Sequence, residues 1–113
     1  MGILLTPRAD ELVITRDYRA ELTAIERNGN RLKWVFQTLD GEQRTFTAYT
    51  HYSTSHASKC VKWVIALLDR PLHPKETVDL ETLIGKTAIV LVEIRKRKNT
   101  DCYRVLTVEP DFY

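Results

Sequence analysis

At 113 residues, with 43% hydrophobic and 28% charged side chains, the chain has the length and make-up of one globular domain, not of a disordered segment. Seventeen Lys and Arg against fifteen Asp and Glu leave a formal charge of +2, too close to neutral for bulk charge to name a partner. No apolar run approaches the ~20 residues of a membrane span, and the two cysteines, Cys60 and Cys102, are too few for a disulfide scaffold and lack any metal-type spacing. Both cysteines sit among apolar residues and read as reduced core positions, so a cytoplasmic protein without membrane or metal is expected.

The first residues, Met1-Gly2-Ile3-Leu4-Leu5-Thr6, fit the loose myristoylation pattern but have no polybasic support, and chance accounts for them better. Residues 1–16 are taken as an N-terminal extension, 17–109 as the domain and 110–113 as a short acidic and aromatic tip. Strand character starts at Asp17, where Tyr18, Ala20, Leu22 and Ala24 alternate with Arg19, Glu21 and Thr23 as far as Arg27. Asn28-Gly29-Asn30 is a hairpin turn, because Asn and Gly tolerate positive φ. A second strand, 31–39, sets Leu32, Trp34 and Phe36 on one face and Lys33, Val35 and Gln37 on the other. After the Asp40-Gly41 turn, a third strand, 43–52, does the same with Phe46 and Ala48 against Thr45, Thr47, Tyr49 and His51.

The period then changes. Ser55 or Ser58 can cap a helix with apolar positions Val61, Val64, Ile65 and Leu68, and Arg70-Pro71 ends it. The stretch 71–85 is long for a bare connection, and Asp79 can cap one short turn carrying Leu80, Leu83 and Ile84 before Gly85. A fourth strand runs from Lys86 to about Arg97. A turn over 98–101 leads to a fifth, 102–109, which Pro110 stops. This β-β-β-α-β-β order predicts a mainly β fold: a five-stranded OB-fold-like barrel with one helix between strands 3 and 4. An SH3-like barrel and an α+β sheet under one helix are its rivals.

Catalysis has little support. His51 and His56 are five apart and His73 stands alone. No HExxH, CxxC, GxSxG or Gly-rich phosphate loop occurs, so no catalytic residue, metal ligand or cofactor site is assigned. His51 beside Tyr52 reads as a surface strand histidine in preference to a base.

Arg95-Lys96-Arg97-Lys98 holds four consecutive cations, leading into the loop with which OB-folds clamp nucleic acid. The competing reading is a solvated edge on which Lys and Arg discourage strand pairing. Aromatic platforms flanked by cations bind single strands without sequence preference, and the less apolar strand faces carry such residues. Arg31, Lys33 and Arg44 with Arg95, Arg97, Lys98 and Arg104 are the candidate phosphate contacts, and Tyr49 and Tyr103 the candidate stacking residues. Tyr49 either stacks a base or packs against a cross-strand partner. Trp34, Phe36 and Trp63 read as core.

The segments Tyr18-Arg19-Ala20-Glu21-Leu22, Leu32-Lys33-Trp34-Val35-Phe36 and Ser58 to Leu68, with the stretch from Val78 to Lys86, resemble small OB-fold-like proteins of phages, prophages and mobile elements. The resemblance spans about 17–109 and implies single-stranded-DNA-binding-like proteins associated with replication or recombination. It brings no binding residues to carry over. The tip Glu109-Pro110-Asp111-Phe112-Tyr113 resembles a much shortened form of the acidic, Phe-containing tip of bacterial single-stranded-DNA-binding proteins. A frayed end, or aromatics packed back on the barrel, is the simpler account.

The expectation is a non-catalytic domain that binds single-stranded nucleic acid, DNA ahead of RNA, with little sequence preference. An oligomer or a tethering partner would raise its affinity. The alternative is a protein-interaction adaptor or subunit of a larger nucleoprotein complex, favoured by the near-neutral charge and by the acidic Glu76, Asp79 and Glu81. Capture of a small anionic ligand such as a nucleotide is a third possibility and needs a closed pocket.

Overall fold

A computed structural model describes residues 12–96 and 100–111. Five strands, β1 (Leu12–Asn28), β2 (Arg31–Thr38), β3 (Thr45–His51), β4 (Thr87–Lys96) and β5 (Asp101–Pro110), form one antiparallel sheet in the order β3-β2-β1-β4-β5. Among the described residues one helix, α1 (Lys59–Leu68), follows β3, and one 3-10 turn, Leu80–Leu83, precedes β4. The sheet curls into a half-barrel. Its edge strands approach where the Phe46 and Tyr103 rings lie 5.5 Å apart, but β3 and β5 share no ladder.

The curl follows from β1, the longest strand. Its first part, from Leu12 to Glu21, pairs with β4, and its last part, from Ala20 to Asn28, pairs with β2. Only Ala20 and Glu21 have partners on both sides. A strand that changes neighbours along its length bends the sheet around itself, and a bulge between Leu22 and Ala24 sharpens the turn. The predicted strand starting at Asp17 therefore begins at Leu12: residues 12–16, expected in the extension, pair with β4 from Lys96 to Val92.

The concave face is the core, built from alternate residues of each strand: Ala20 and Leu22 on β1, Leu32, Trp34 and Phe36 on β2, Phe46 on β3, and Val90 and Val92 on β4. α1 closes it. Its buried stripe is Cys60, Trp63, Val64 and Leu67, and the Trp63 ring meets Trp34 edge-on at 5.4 Å and Phe36 at 6.2 Å. Ile65 and Leu68, two of the four expected apolar positions, are only half-buried, because the helix sits rotated toward its Trp63 side. Ser58 rather than Ser55 caps α1, its Oγ accepting from the Val61 N–H at 3.2 Å. The helix ends in Asp69, whose left-handed conformation turns the chain out.

The connections are held by side chains. The Asp40 carboxylate accepts from the Thr38 hydroxyl (2.8 Å) and from the Glu42 and Gln43 N–H groups. The Thr38 bond foremost, with the two backbone donors, keeps Asp40 below its usual pKa. Between α1 and the 3-10 turn, Arg70 forks onto both oxygens of Glu76, which also accepts from the His73 N–H. Asp79 caps the 3-10 turn through the Glu81 N–H.

Candidate nucleic-acid interface

Strand alternation puts the polar residues of β2 and β3 on the outer, convex face. Arg31 lies opposite His51 and Lys33 opposite Tyr49, so the end of the β2–β3 ladder nearest the 28–30 turn carries two cations, an aromatic ring and an imidazole. Tyr49 is 54% exposed, and the Arg31 guanidinium sits over its ring at 4.5 Å from the centroid. Across the turn, Arg27 covers the Tyr52 ring at 3.8 Å while donating to the Gly29 carbonyl. Of the predicted contacts, the structure gathers Arg31, Lys33 and Tyr49 into this one patch.

The other candidates lie elsewhere. Arg44, just before β3, donates to the Tyr18 hydroxyl at 3.0 Å and forms an ion pair with Glu42. Arg95 donates to Glu93 at 2.9 Å, and Arg104 is the register partner of the same glutamate, so these two arginines flank a carboxylate. Tyr103 pairs with core-facing Ile94 and is on the opposite side of β5 from Arg104, with its ring against Phe46. Arg97 and Lys98 lie outside the described residues. Val13, the β1 partner of Arg95, and Glu26, the partner of Lys33, are thirteen positions apart, or ~40 Å of strand at about 3.3 Å per residue. Arg31, Lys33 and Tyr49 thus lie toward one end of β1 and Arg95 and Arg104 toward the other, with Arg44 beside Tyr18 between them.

The cations also differ in their pairing. Arg19 is bound to Asp111 at 2.9 Å and Arg70 to Glu76 at 2.6 Å, and Arg44 and Arg95 have the carboxylates named above. Arg31, Lys33 and Lys59 make no ion pair among the described residues. A phosphate approaching the latter three displaces water, whereas at Arg95 it must also compete with Glu93.

Two contributors to the patch escaped sequence reasoning. Arg27 becomes a neighbour of Tyr52 only once the hairpin register is known, and Lys59 only once Ser58 is fixed as the cap that makes it the first residue of α1. Cys102, read as a core position, is exposed instead, because β5 pairs it with Arg95 on the outer face. Cys60 is buried, and both thiols are free.

The three histidines are exposed and dispersed: His51 on β3, His56 before α1 and His73 in the 71–79 connection. Among the described residues, no group of His, Cys, Asp and Glu is arranged to hold a metal ion, and no helix is long and apolar enough to cross a membrane. A cavity of about 420 Å³ between α1 and the 71–80 segment has an apolar wall of Val61, Val64, Leu72 and Val78. Compared with protein-family models and with curated protein sequences, the chain matches none.

Proposed function

We propose that this domain binds single-stranded nucleic acid, DNA in the first place, without catalysis and with little sequence preference. The observation that carries the reading is the exposed Tyr49 ring on the outer face of β2–β3, bordered by Arg31 and Lys33, which form no ion pair among the described residues. An aromatic platform with flanking cations suits any base, since every base has a π-face and every nucleotide a phosphate. Strand pairing supports an OB-fold-like reading: β1 shared between β2 and β4, the helix after β3, and a sheet left partly open between β3 and β5. In such folds the β2–β3 face binds oligonucleotides, which is where Tyr49 stands. Together with the resemblance to phage and mobile-element proteins, this reading gives the domain a part in DNA replication or recombination.

The test is a fluorescence-anisotropy titration with a labelled oligothymidylate at several salt concentrations. Binding should weaken log-linearly with salt, by about 0.7 in slope per phosphate neutralised. Tyr49→Ala should weaken binding by ~1–3 kcal/mol, and Tyr49→Phe, which keeps the ring, should restore most of it. Absence of binding even at low salt would reject the reading in favour of a protein-docking module.

A further inference from the structure

Tyr49 and Arg31 form a ridge between two concavities. On one side, a hollow of about 420 Å³ is bordered by Arg27, Asn28 and Lys33. On the other, a hollow of about 660 Å³ is bordered by His51, Ser53, Ser58 and Lys59. Both sizes fall in the ~300–1,000 Å³ range of ligand-holding clefts. Glu26, in the first hollow, is the one acidic residue among the described residues lining either. A line of cations therefore crosses the sheet from Lys33 through Arg31 to Lys59, with the exposed tyrosine at its middle.

We infer that the bound strand crosses Tyr49 from the 28–30 turn toward the start of α1, with Lys59 neutralising a phosphate beyond the stacked base, and does not run to the β4–β5 end. This path rests on the single-strand-binding reading. Lys59 is suited to hold a phosphate because it is exposed and has no carboxylate partner among the described residues. Its ammonium group lies 5.7 Å from the Trp63 ring centroid, a contact that leaves its charge uncompensated. His51, on the same hollow and opposite Arg31, adds hydrogen-bonding capacity along the path. At the far end of β1, Arg95 is already engaged by Glu93, so a phosphate at that arginine competes with a carboxylate.

The oligothymidylate titration, repeated with single variants, tests the path. Lys59→Ala should lower affinity severalfold and reduce the salt slope by about 0.7, as one lost phosphate contact requires. Lys59→Gln should do the same, which separates lost charge from any change at the helix start. Lys62→Ala, one helical turn on and outside both hollows, should leave affinity and slope unchanged, as should Lys96→Ala at the end of β4. If the wild-type protein binds and Arg31→Ala weakens it while Lys59→Ala has no effect, the path is wrong and the binding reading stands. A Lys96→Ala loss as large as that of Lys59→Ala also overturns the path. Failure of the wild-type protein to bind rejects the reading and the path together.

Discussion

Tyr49 and Thr50 are adjacent on β3 and have opposite fates, because successive strand residues face opposite sides of the sheet. Tyr49 faces solvent, whereas Thr50 is buried and its hydroxyl accepts the Trp34 indole N–H at 2.9 Å. Trp34 has no exposed surface, so that donor has no water to turn to if Thr50 is lost. Thr50→Val keeps the shape and removes the acceptor, and an orphaned buried donor costs ~1–3 kcal/mol. Urea unfolding should show that loss as a lower midpoint at unchanged m. Tyr49→Ala, one residue away, should fall within about 0.5 kcal/mol of the wild type, as an exposed position permits. The pair then separates folding from binding: the buried residue carries stability and the exposed one affinity. Equal stability losses at the two positions would mean that the Tyr49–Arg31 contact is structural and that the ring is not free to stack a base.

At the scale of elements, the connection from α1 to β4 carries an ion-pair clamp besides its packing on the core. The Arg70 guanidinium, forked onto Glu76, together with the His73 N–H, holds the Glu76 carboxyl at about 2, against an ordinary value of 4.5. Because the folded value is the lower one, the clamp stabilises the protein above the ordinary carboxylate pKa. That contribution is lost as pH falls from about 4.5 toward 2. Glu76→Gln cannot titrate, so the difference in melting temperature between wild type and variant should be widest near neutral pH and close as acid is added. A gap that stays constant down to pH 2 would remove the clamp as its cause. None of this is legible in the sequence, where 71–79 is only a connection of unusual length. What is legible comes from local rules. Period-two alternation locates the strands, Asn28-Gly29 locates the hairpin, and Asp79 reads as a cap because its side chain has only a local backbone donor to find. What stays hidden depends on register. The extra residue near Thr23 brings Ile25 opposite core-facing Trp34, and the one at Leu106 puts Val105 and Val108, three positions apart, both in the core, so simple alternation read across a bulge assigns the wrong side. The candidate site divides for the same reason. Arg31, Lys33 and Tyr49 share one unbroken ladder, whereas Arg95 and Arg104 lie on the β4–β5 ladder across β1.

At the scale of the molecule, β1 organises the whole sheet, and stability should be graded outward from it. Ala20 and Glu21 have partners on both β2 and β4, while β3 and β5 each have a neighbour on one side only among the described residues. At one end of the seam between those edges the closure is made by side chains, with Tyr18, Phe46 and Tyr103 in successive ring contact and Arg44 hydrogen-bonded to the Tyr18 hydroxyl. Rings hold two edges together but do not protect backbone amides as a ladder does. Native-state hydrogen exchange should therefore be slowest for ladder-bonded amides in the middle of β1, opening only with global unfolding. The amides on the unpaired sides of β3 and β5 should exchange by local fluctuation, orders of magnitude faster. A closed barrel makes the opposite prediction, since pairing along β3 and β5 would bring their amides to the level of β1. Exchange in the presence of an oligonucleotide also locates the ligand. A strand lying across Tyr49 contacts β2, β3 and the start of α1, so new protection should gather there and leave β4 and β5 as they were, and protection spreading first into β5 would place the ligand at the other end of the sheet.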